Sequence, residues 1–258
     1  MNIERKDLYT MRWYLNQTPP QTESALEILN RLLGDVKQPV QIGLGRGLLT
    51  CPFAVHQDLP QAKTRGKYQL GYPQGAVVHF TAGNHKQKPL DAVQQMVNNG
   101  YVYFIIAPDG TIYQNFQLDQ WGYHAGDSEK YPSEWEGLGF GVSDKIVGIE
   151  IMSPGRLNDN RSPWYDKNKV FPKEQCRFVE GDEQQQRGWY VRYTDEQERS
   201  LFELLGWLKS NKPDVFNYNF VLGHDEVSGP RGIGWRRKND PGGALSMSMD
   251  ELRNKLLT

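Results

Sequence analysis

The chain has 258 residues, of which 38% are hydrophobic, 24% charged and 12% aromatic, a composition that supports a buried core and excludes a wholly disordered protein. Thirty basic and 31 acidic residues give a formal net charge of −1, so we expect no nucleic-acid partner, because such proteins usually carry a basic excess. No apolar run approaches the roughly 18 residues of a membrane helix, and the first residues lack the apolar core and cleavage site of a secretory signal.

Residues 1–70 differ in character from the rest of the chain. We expect them to form an N-terminal extension, packed on or appended to the domain that follows. Residues 22–34 (TESALEILNRLLG) have leucine and isoleucine at helical spacing and end in glycine, which predicts a helix. The segments around it are rich in glycine, proline and glutamine, which is typical of loops with short extended pieces.

Strands and helices alternate after residue 70, which predicts an α/β domain over 71–258. Short apolar runs rich in β-branched residues predict strands, two of them in a hairpin around an Asp-Gly turn: 76–80, 101–107, 111–114, 146–152 and 221–224. Helical periodicity with proline or capping-box starts predicts three helices: 89–99, 195–211 and a final one beginning at 249. Residues 153–192 have few periodic features and are predicted to be a long loop or insertion, which is often functional.

Two histidines and one aspartate, far apart in the chain, are the candidate metal ligands. His79 interrupts an apolar strand, where a buried imidazole needs a hydrogen-bond partner or a metal. His224 stands at a strand end, and each histidine taken alone is more commonly a satisfied core residue. Together with Asp240 they make a three-ligand set that leaves a fourth position for water, as in a catalytic zinc site.

Seven motifs follow one another in a defined order over roughly residues 70–258: VVHFTAG (77–83), a strand–PDG–strand hairpin (101–114), WGYHAGD (121–127), VGIEI (147–151), YTDEQ (193–197), VLGHDEV (221–227) and RKNDPGGAL (237–245). This order resembles the zinc-dependent N-acetylmuramoyl-L-alanine amidases, the amidase type 2 family that shares its fold with peptidoglycan-recognition proteins. The resemblance implies a central mixed β-sheet flanked by helices. It also implies one Zn²⁺ in a peptidoglycan-binding groove, and hydrolysis of the amide between N-acetylmuramic acid and L-alanine.

The resemblance also implies roles for individual residues. His79, His224 and Asp240 match the zinc ligands. Glu150 matches the general base, and Lys238 matches the lysine that stabilises the oxyanion. Amide hydrolysis needs such a base and such a positive charge in any case, although Lys238 is also explained as part of a solvated basic turn.

Three further residues are expected to contact the substrate. On the resemblance, His124 matches a groove histidine close to the zinc, with a loop histidine of no special role as the alternative, and Trp121 belongs to the same motif. Tyr103 departs from the family, which commonly has a histidine there, so that role does not transfer and the expectation rests on its hydroxyl.

Other residues are left open by the sequence. The aromatic residues of the insertion, Trp164, Tyr165, Trp189 and Tyr190, fit either a wall of the groove or anchors for the loop. His56 and His85 lack motif support and are interpreted as surface residues.

Two alternatives to the enzyme are a non-catalytic muropeptide-binding module on the same fold and an interaction protein that docks a partner through residues 1–70. The complete ligand set, with Glu150 and Lys238, favours the enzyme. We expect a monomer without a signal peptide that acts on the cell wall after release or delivery; cytoplasmic recycling of muropeptides is the alternative.

Overall fold

A computed structural model of the protein describes residues 48–56, 58–126, 128, 138–182, 185–228 and 238–258. The predicted helix at 22–34 and most of the loop between His224 and Asp240 lie outside these residues. The strands of the described part are, in chain order: β1 Gly66–Lys67, β2 Ala76–Phe80, β3 Tyr103–Ile106, β4 Ile112–Tyr113, β5 Gln120–Trp121, β6 Val147–Ile151, β7 Cys176–Val179, β8 Gly188–Val191 and β9 Val221–Gly223. The α-helices are: α1 Pro89–Asn99, α2 Asp195–Asn211, α3 His224–Val227 and α4 Met249–Leu257.

A five-stranded mixed sheet organises the domain, in the order β4-β3-β6-β2-β9. Strands β3, β6, β2 and β9 run parallel, and β4 joins the edge antiparallel to β3. Every residue of β2 is buried, as expected for a central parallel strand that is covered on both faces. The predicted central mixed sheet with flanking helices is therefore confirmed.

Helix boundaries follow the start and stop signals of the sequence. Helix α1 has proline in its first turn and ends at Gly100, whose φ of 72° is the left-handed conformation that glycine adopts most easily. Thr194 and Ser248 each form a capping box with the residue three positions later, which satisfies backbone donors at the starts of α2 and α4. Helix α2 then buries four leucines in the core: Leu201, Leu204, Leu205 and Leu208. No helix of the described residues is long and apolar enough to cross a bilayer.

The segment at 153–192 contains more regular structure than we predicted. Strands β7 and β8 form an antiparallel pair in which Cys176 lies opposite Val191. The backbone N–H of Leu157 also donates to the carbonyl of Trp189 at 2.7 Å. Each of these strands has only four residues, which is too few for an alternation of apolar and polar side chains to be recognised in the sequence.

Residues 48–70, in the described part of the predicted extension, make backbone contacts with the α/β domain. The N–H of Leu118 donates to the carbonyl of Leu49, Val55 forms a bridge with Tyr113, and β1 pairs with β5. These residues pack on the domain. The prediction of an extension over 1–70 concerns mainly residues outside the description and stays a prediction.

Candidate metal centre

The parallel strands bring the candidate ligands to one edge of the sheet. His79 is the fourth residue of β2 and lies opposite Glu150 of β6. Val78 lies opposite Gly223, the last residue of β9, so His224 follows directly beside His79. Because the carboxyl ends of parallel strands meet at the same edge, residues far apart in sequence become neighbours there, which is where open α/β sheets usually bind ligands.

Asp240 completes a group of three buried side chains. The Nδ1 atoms of His79 and His224 lie 2.9 Å apart, and Asp240 Oδ2 lies 3.0 Å from the first and 2.9 Å from the second. The three residues are 1%, 6% and 7% exposed. The Asp240 segment is held in place by its own carbonyl, which accepts a hydrogen bond from the N–H of Asp225 at 2.9 Å.

Hydrogen bonds made by the Nε2 atoms assign the tautomers of His224, His124 and His79. His224 Nε2 lies 3.0 Å from the carbonyl oxygen of Ala125, which only accepts, so Nε2 carries the hydrogen. His124 Nε2 lies 2.9 Å from the carbonyl oxygen of Ile146 and carries a hydrogen for the same reason. His124 Nδ1 is then an acceptor for His79 Nε2–H at 3.1 Å. In their neutral forms, His79 and His224 therefore both direct an Nδ1 lone pair at the same point.

Two lone pairs and a carboxylate oxygen converging in this way repel one another unless a cation lies between them. Among the described residues, His79, His224 and Asp240 are the histidines and acids whose ligand atoms lie close enough together to hold one metal ion. Two imidazole nitrogens and one carboxylate oxygen are also a ligand set that zinc accepts. The residues present therefore fit a zinc ion.

The protonation state of His79 suits metal binding as well. Burial, together with His224, lowers the pKa of His79 to about 4, so the imidazole is neutral at pH 7. A neutral imidazole is the form that binds metals.

Glu150 and Lys238 lie beside this group. Glu150 Oε2 is buried and has no hydrogen-bond partner among the described residues. Burial raises the pKa of Glu150 well above its usual value, Asp240 adds to the rise, and Lys238 opposes it. The Lys238 Nζ lies over Gly126, 3.6 Å from where a Cβ on that glycine would stand. The Lys238 backbone is fixed by its N–H, which donates to Ser228 Oγ at 2.9 Å.

These groups open onto a groove of about 790 Å³. Its lining includes seven of the eight residues predicted for the site: His79, Glu150, His224, Lys238, Asp240, His124 and Tyr103. Burial, followed by the Glu150 carboxylate, raises the pKa of the Tyr103 hydroxyl, which keeps it a neutral donor. The far wall is formed by α1 and by Trp164 and Tyr165 of the insertion.

Trp121 is absent from the described lining of the groove. It lies on β5, where its ring packs edge-on against Tyr123 with 5.8 Å between ring centroids. Strand β5 pairs with β1 in a separate two-stranded sheet, and the substrate contact expected of Trp121 stays a prediction.

The aromatic residues of the insertion divide between the two roles that the sequence left open. Trp164 is 66% exposed, lines the groove and donates its indole N–H to the carbonyl of Ala82 at 2.9 Å. Tyr165 lines the groove beside it. Tyr190 is fully buried, and Trp189 packs against Phe178, so these two anchor the insertion.

His85 and His56, interpreted as surface residues, are both partly exposed and both have side-chain partners. Tyr165 stacks on the His85 ring, and its hydroxyl lies 3.0 Å from His85 Nδ1. His56 is half-buried, with Nε2 2.6 Å from the carbonyl oxygen of Cys51. A single histidine in a polar loop gives no sequence signal for such partners.

His124 lines the groove but is almost fully buried, and its role as a substrate contact stays a prediction. It is 5% exposed, and both ring nitrogens are occupied by His79 and the carbonyl of Ile146. Its ring lies over Gly148, where an added Cβ would stand 2.8 Å from His124 Cγ. Gly148 and the backbone carbonyls of Ala125 and Ile146 thus contribute to the shape of the site. Inspection of the sequence for functional side chains does not find them, because a glycine and a carbonyl have none.

Comparison with known proteins identifies the family of the chain. A family model for N-acetylmuramoyl-L-alanine amidases, Amidase_2, matches residues 69–243, and the chain belongs to this family. Similar solved structures include a selenomethionine derivative of AmpD, at 17% identity and a TM-score of 0.50, over 83% of this chain and 99% of that one. This likeness shows a shared fold.

Two further structures are similar at lower scores. The endolysin amidase LysCS from Clostridium intestinale URNW is 19% identical with a TM-score of 0.45, over 81% of this chain and 99% of that one. The amidase AmiD from E. coli is 17% identical with a TM-score of 0.45, over 74% and 61% of the two chains. A comparison with curated proteins gives no match.

Proposed function

We propose that the protein hydrolyses the amide bond between N-acetylmuramic acid and L-alanine of peptidoglycan, using one zinc ion held by His79, His224 and Asp240. The observation that carries this proposal is the set of three donor atoms, each within 3.0 Å of the other two, in the lining of a groove. Membership of the amidase family supports the same bond as the target.

A zinc ion held by these three ligands would act as a Lewis acid. It would activate a water molecule and polarise the carbonyl oxygen of the amide. The chain supplies the proton transfers. Glu150 Oε2 accepts a proton from the attacking water as the new C–O bond forms. The same atom then returns the proton to the L-alanine nitrogen as the C–N bond breaks. A raised pKa suits both steps, because it makes the carboxylate a stronger base and keeps the proton available for the leaving amine.

Lys238 provides positive charge for the developing oxyanion. Lys238 lines the groove together with Glu150 and His79, and its ammonium group acts electrostatically on both, which supports this role. A donor that is already positioned stabilises the transition state without reorganisation. Lys238 therefore acts on the carbonyl oxygen, and Glu150 on the protons.

The groove offers contacts for both a sugar and a peptide. Trp164 presents an exposed aromatic face held by its indole hydrogen bond, and Tyr103 presents a hydroxyl. Gln95 and Asn99 on α1 add amide groups that can pair with peptide backbone. Aromatic surface beside a few convergent polar groups is typical of a specific binding site.

The test is digestion of purified sacculi with and without chelator, followed by mass analysis of the released fragments. Stem peptides with a new L-alanine amino terminus, released only when zinc is present, support the proposal. The His79→Ala and Asp240→Ala variants should lose both zinc and activity. Intact muramyl-peptide linkages despite bound zinc would favour a non-catalytic binding module.

A parallel digestion of soluble anhydro-muropeptide addresses where the enzyme works. We propose action on the intact wall, because the groove extends along α1 and the insertion beyond the three ligands. Faster turnover of the soluble compound than of sacculi would instead support muropeptide recycling.

A further inference from the structure

We propose that His124 is a positioning residue for the metal ion: it holds His79 in the tautomer that directs an Nδ1 lone pair at the metal. This inference rests on the proposed function in one respect, namely that His79 is a metal ligand. It differs from the substrate contact that the sequence predicted for His124.

The argument starts at a backbone carbonyl. The carbonyl oxygen of Ile146 is an acceptor only, so the His124 nitrogen 2.9 Å away, Nε2, carries a hydrogen. In a neutral ring the other nitrogen, Nδ1, then has a lone pair. His79 Nε2 lies 3.1 Å from this lone pair and donates its hydrogen to it. The proton of His79 is thereby kept on the nitrogen that faces away from His224 and Asp240.

Packing keeps the His124 ring in this orientation. The His124 backbone N–H donates to Ser143 Oγ at 3.1 Å, which fixes the start of the side chain. The ring then lies over Gly148, where the missing Cβ leaves room for it. His79 and His124 meet edge to face, with 5.3 Å between ring centroids. Rotation of the imidazole by half a turn would break its hydrogen bond to Ile146.

Hydrogen-bond donation therefore runs in one direction, from His79 to His124 and from His124 to the carbonyl of Ile146. Partners of this kind orient metal ligands and raise their basicity, and their loss typically lowers metal affinity about 10- to 100-fold. His224 is oriented by the carbonyl of Ala125 without an intermediate side chain. His124 therefore orients His79 and has no such part in orienting His224.

A matched pair of variants tests the role. Asparagine and leucine are close in size, but asparagine retains an acceptor near the position of Nδ1, whereas leucine has none. We expect His124→Leu to weaken zinc binding about 10- to 100-fold in competition with a chromophoric chelator. We expect His124→Asn to recover most of that loss. Equal zinc affinity of both variants and the unsubstituted protein would overturn the proposal.

Imidazole ¹⁵N NMR of the metal-free protein provides a second readout, which needs neither zinc nor substrate. The unsubstituted protein should show His79 protonated at Nε2, and His124→Leu should populate the Nδ1–H form. If His79 of the unsubstituted protein carries its hydrogen on Nδ1, the proposal is wrong, whether or not the variants fold. If the tautomer and zinc affinities follow expectation but sacculi are not cut, only the proposed function fails.

Discussion

Replacement of Glu150 by glutamine separates catalysis from metal binding. The side chain keeps its shape but can no longer accept a proton. General acid–base catalysis typically contributes 10²- to 10⁴-fold in rate, which at about 1.36 kcal/mol per decade is roughly 3–5 kcal/mol of the activation barrier. Glu150 is not one of the three converging donors, so we expect Glu150→Gln to keep one zinc ion per chain while kcat falls by that factor.

The same substitution should not destabilise the fold. Glu150 Oε2 is buried without a partner among the described residues, and leaving a buried polar atom unpaired costs about 1–3 kcal/mol. A raised pKa means that the carboxyl opposes folding once the pH exceeds its unfolded-state pKa, and an uncharged amide removes that term. At pH 7 the free energy of unfolding of the metal-free variant should equal or exceed that of the unsubstituted protein.

Three measurements check this prediction: release of stem peptides from sacculi, zinc content after gel filtration, and urea unfolding of the metal-free protein. Glu174→Gln, the same chemical change at an exposed position of the insertion, serves as the control and should leave all three unchanged. Full activity of Glu150→Gln would remove Glu150 from the mechanism. Loss of zinc or of several kcal/mol of stability would make its role structural.

Other variants probe the oxyanion charge and the packing around the site. Lys238→Met should retain zinc but lower kcat about 10²- to 10³-fold, with Lys238→Arg partly active; wild-type turnover in Lys238→Met would assign the lysine to a solvated turn. Gly148→Ala places a methyl group 2.8 Å from His124 Cγ and should lower the free energy of unfolding by about 1–3 kcal/mol, measured in urea; an unchanged free energy would contradict tight packing at this position. Glu226→Ala leaves Arg253, which it binds at 2.9 and 3.0 Å, buried without this partner. Unfolding should then require about 3–5 kcal/mol less, and a loss below 1 kcal/mol would contradict the importance of the pair.

Much of the fold was readable because local signals agreed with the tertiary structure. The apolar run at 76–80, the Pro89 and Gly100 boundaries of α1 and the capping box at Thr194 each correspond to an element at the predicted place. The short strands β7 and β8 were missed, because a strand of four residues is too short to show a clear hydrophobic periodicity.

The sequence also placed the chemical groups of the candidate site on separate elements. His79 and Glu150 stood out because charged or titratable side chains inside apolar strands are costly to bury and need a reason. The motif order connected them with His224 and Asp240. The structure brings these side chains together, while their roles in zinc binding and catalysis stay proposals.

What the sequence determined by itself was therefore which residues carry chemistry and which elements hold them. Only the tertiary structure decided how those residues are oriented: that His124 faces His79, that Trp164 rather than Trp189 lines the groove, and that Trp121 belongs to a separate two-stranded sheet. The physical reason is that orientation depends on strand register and on backbone carbonyls. Every residue possesses a carbonyl, so residue type gives no indication of which one a histidine will meet.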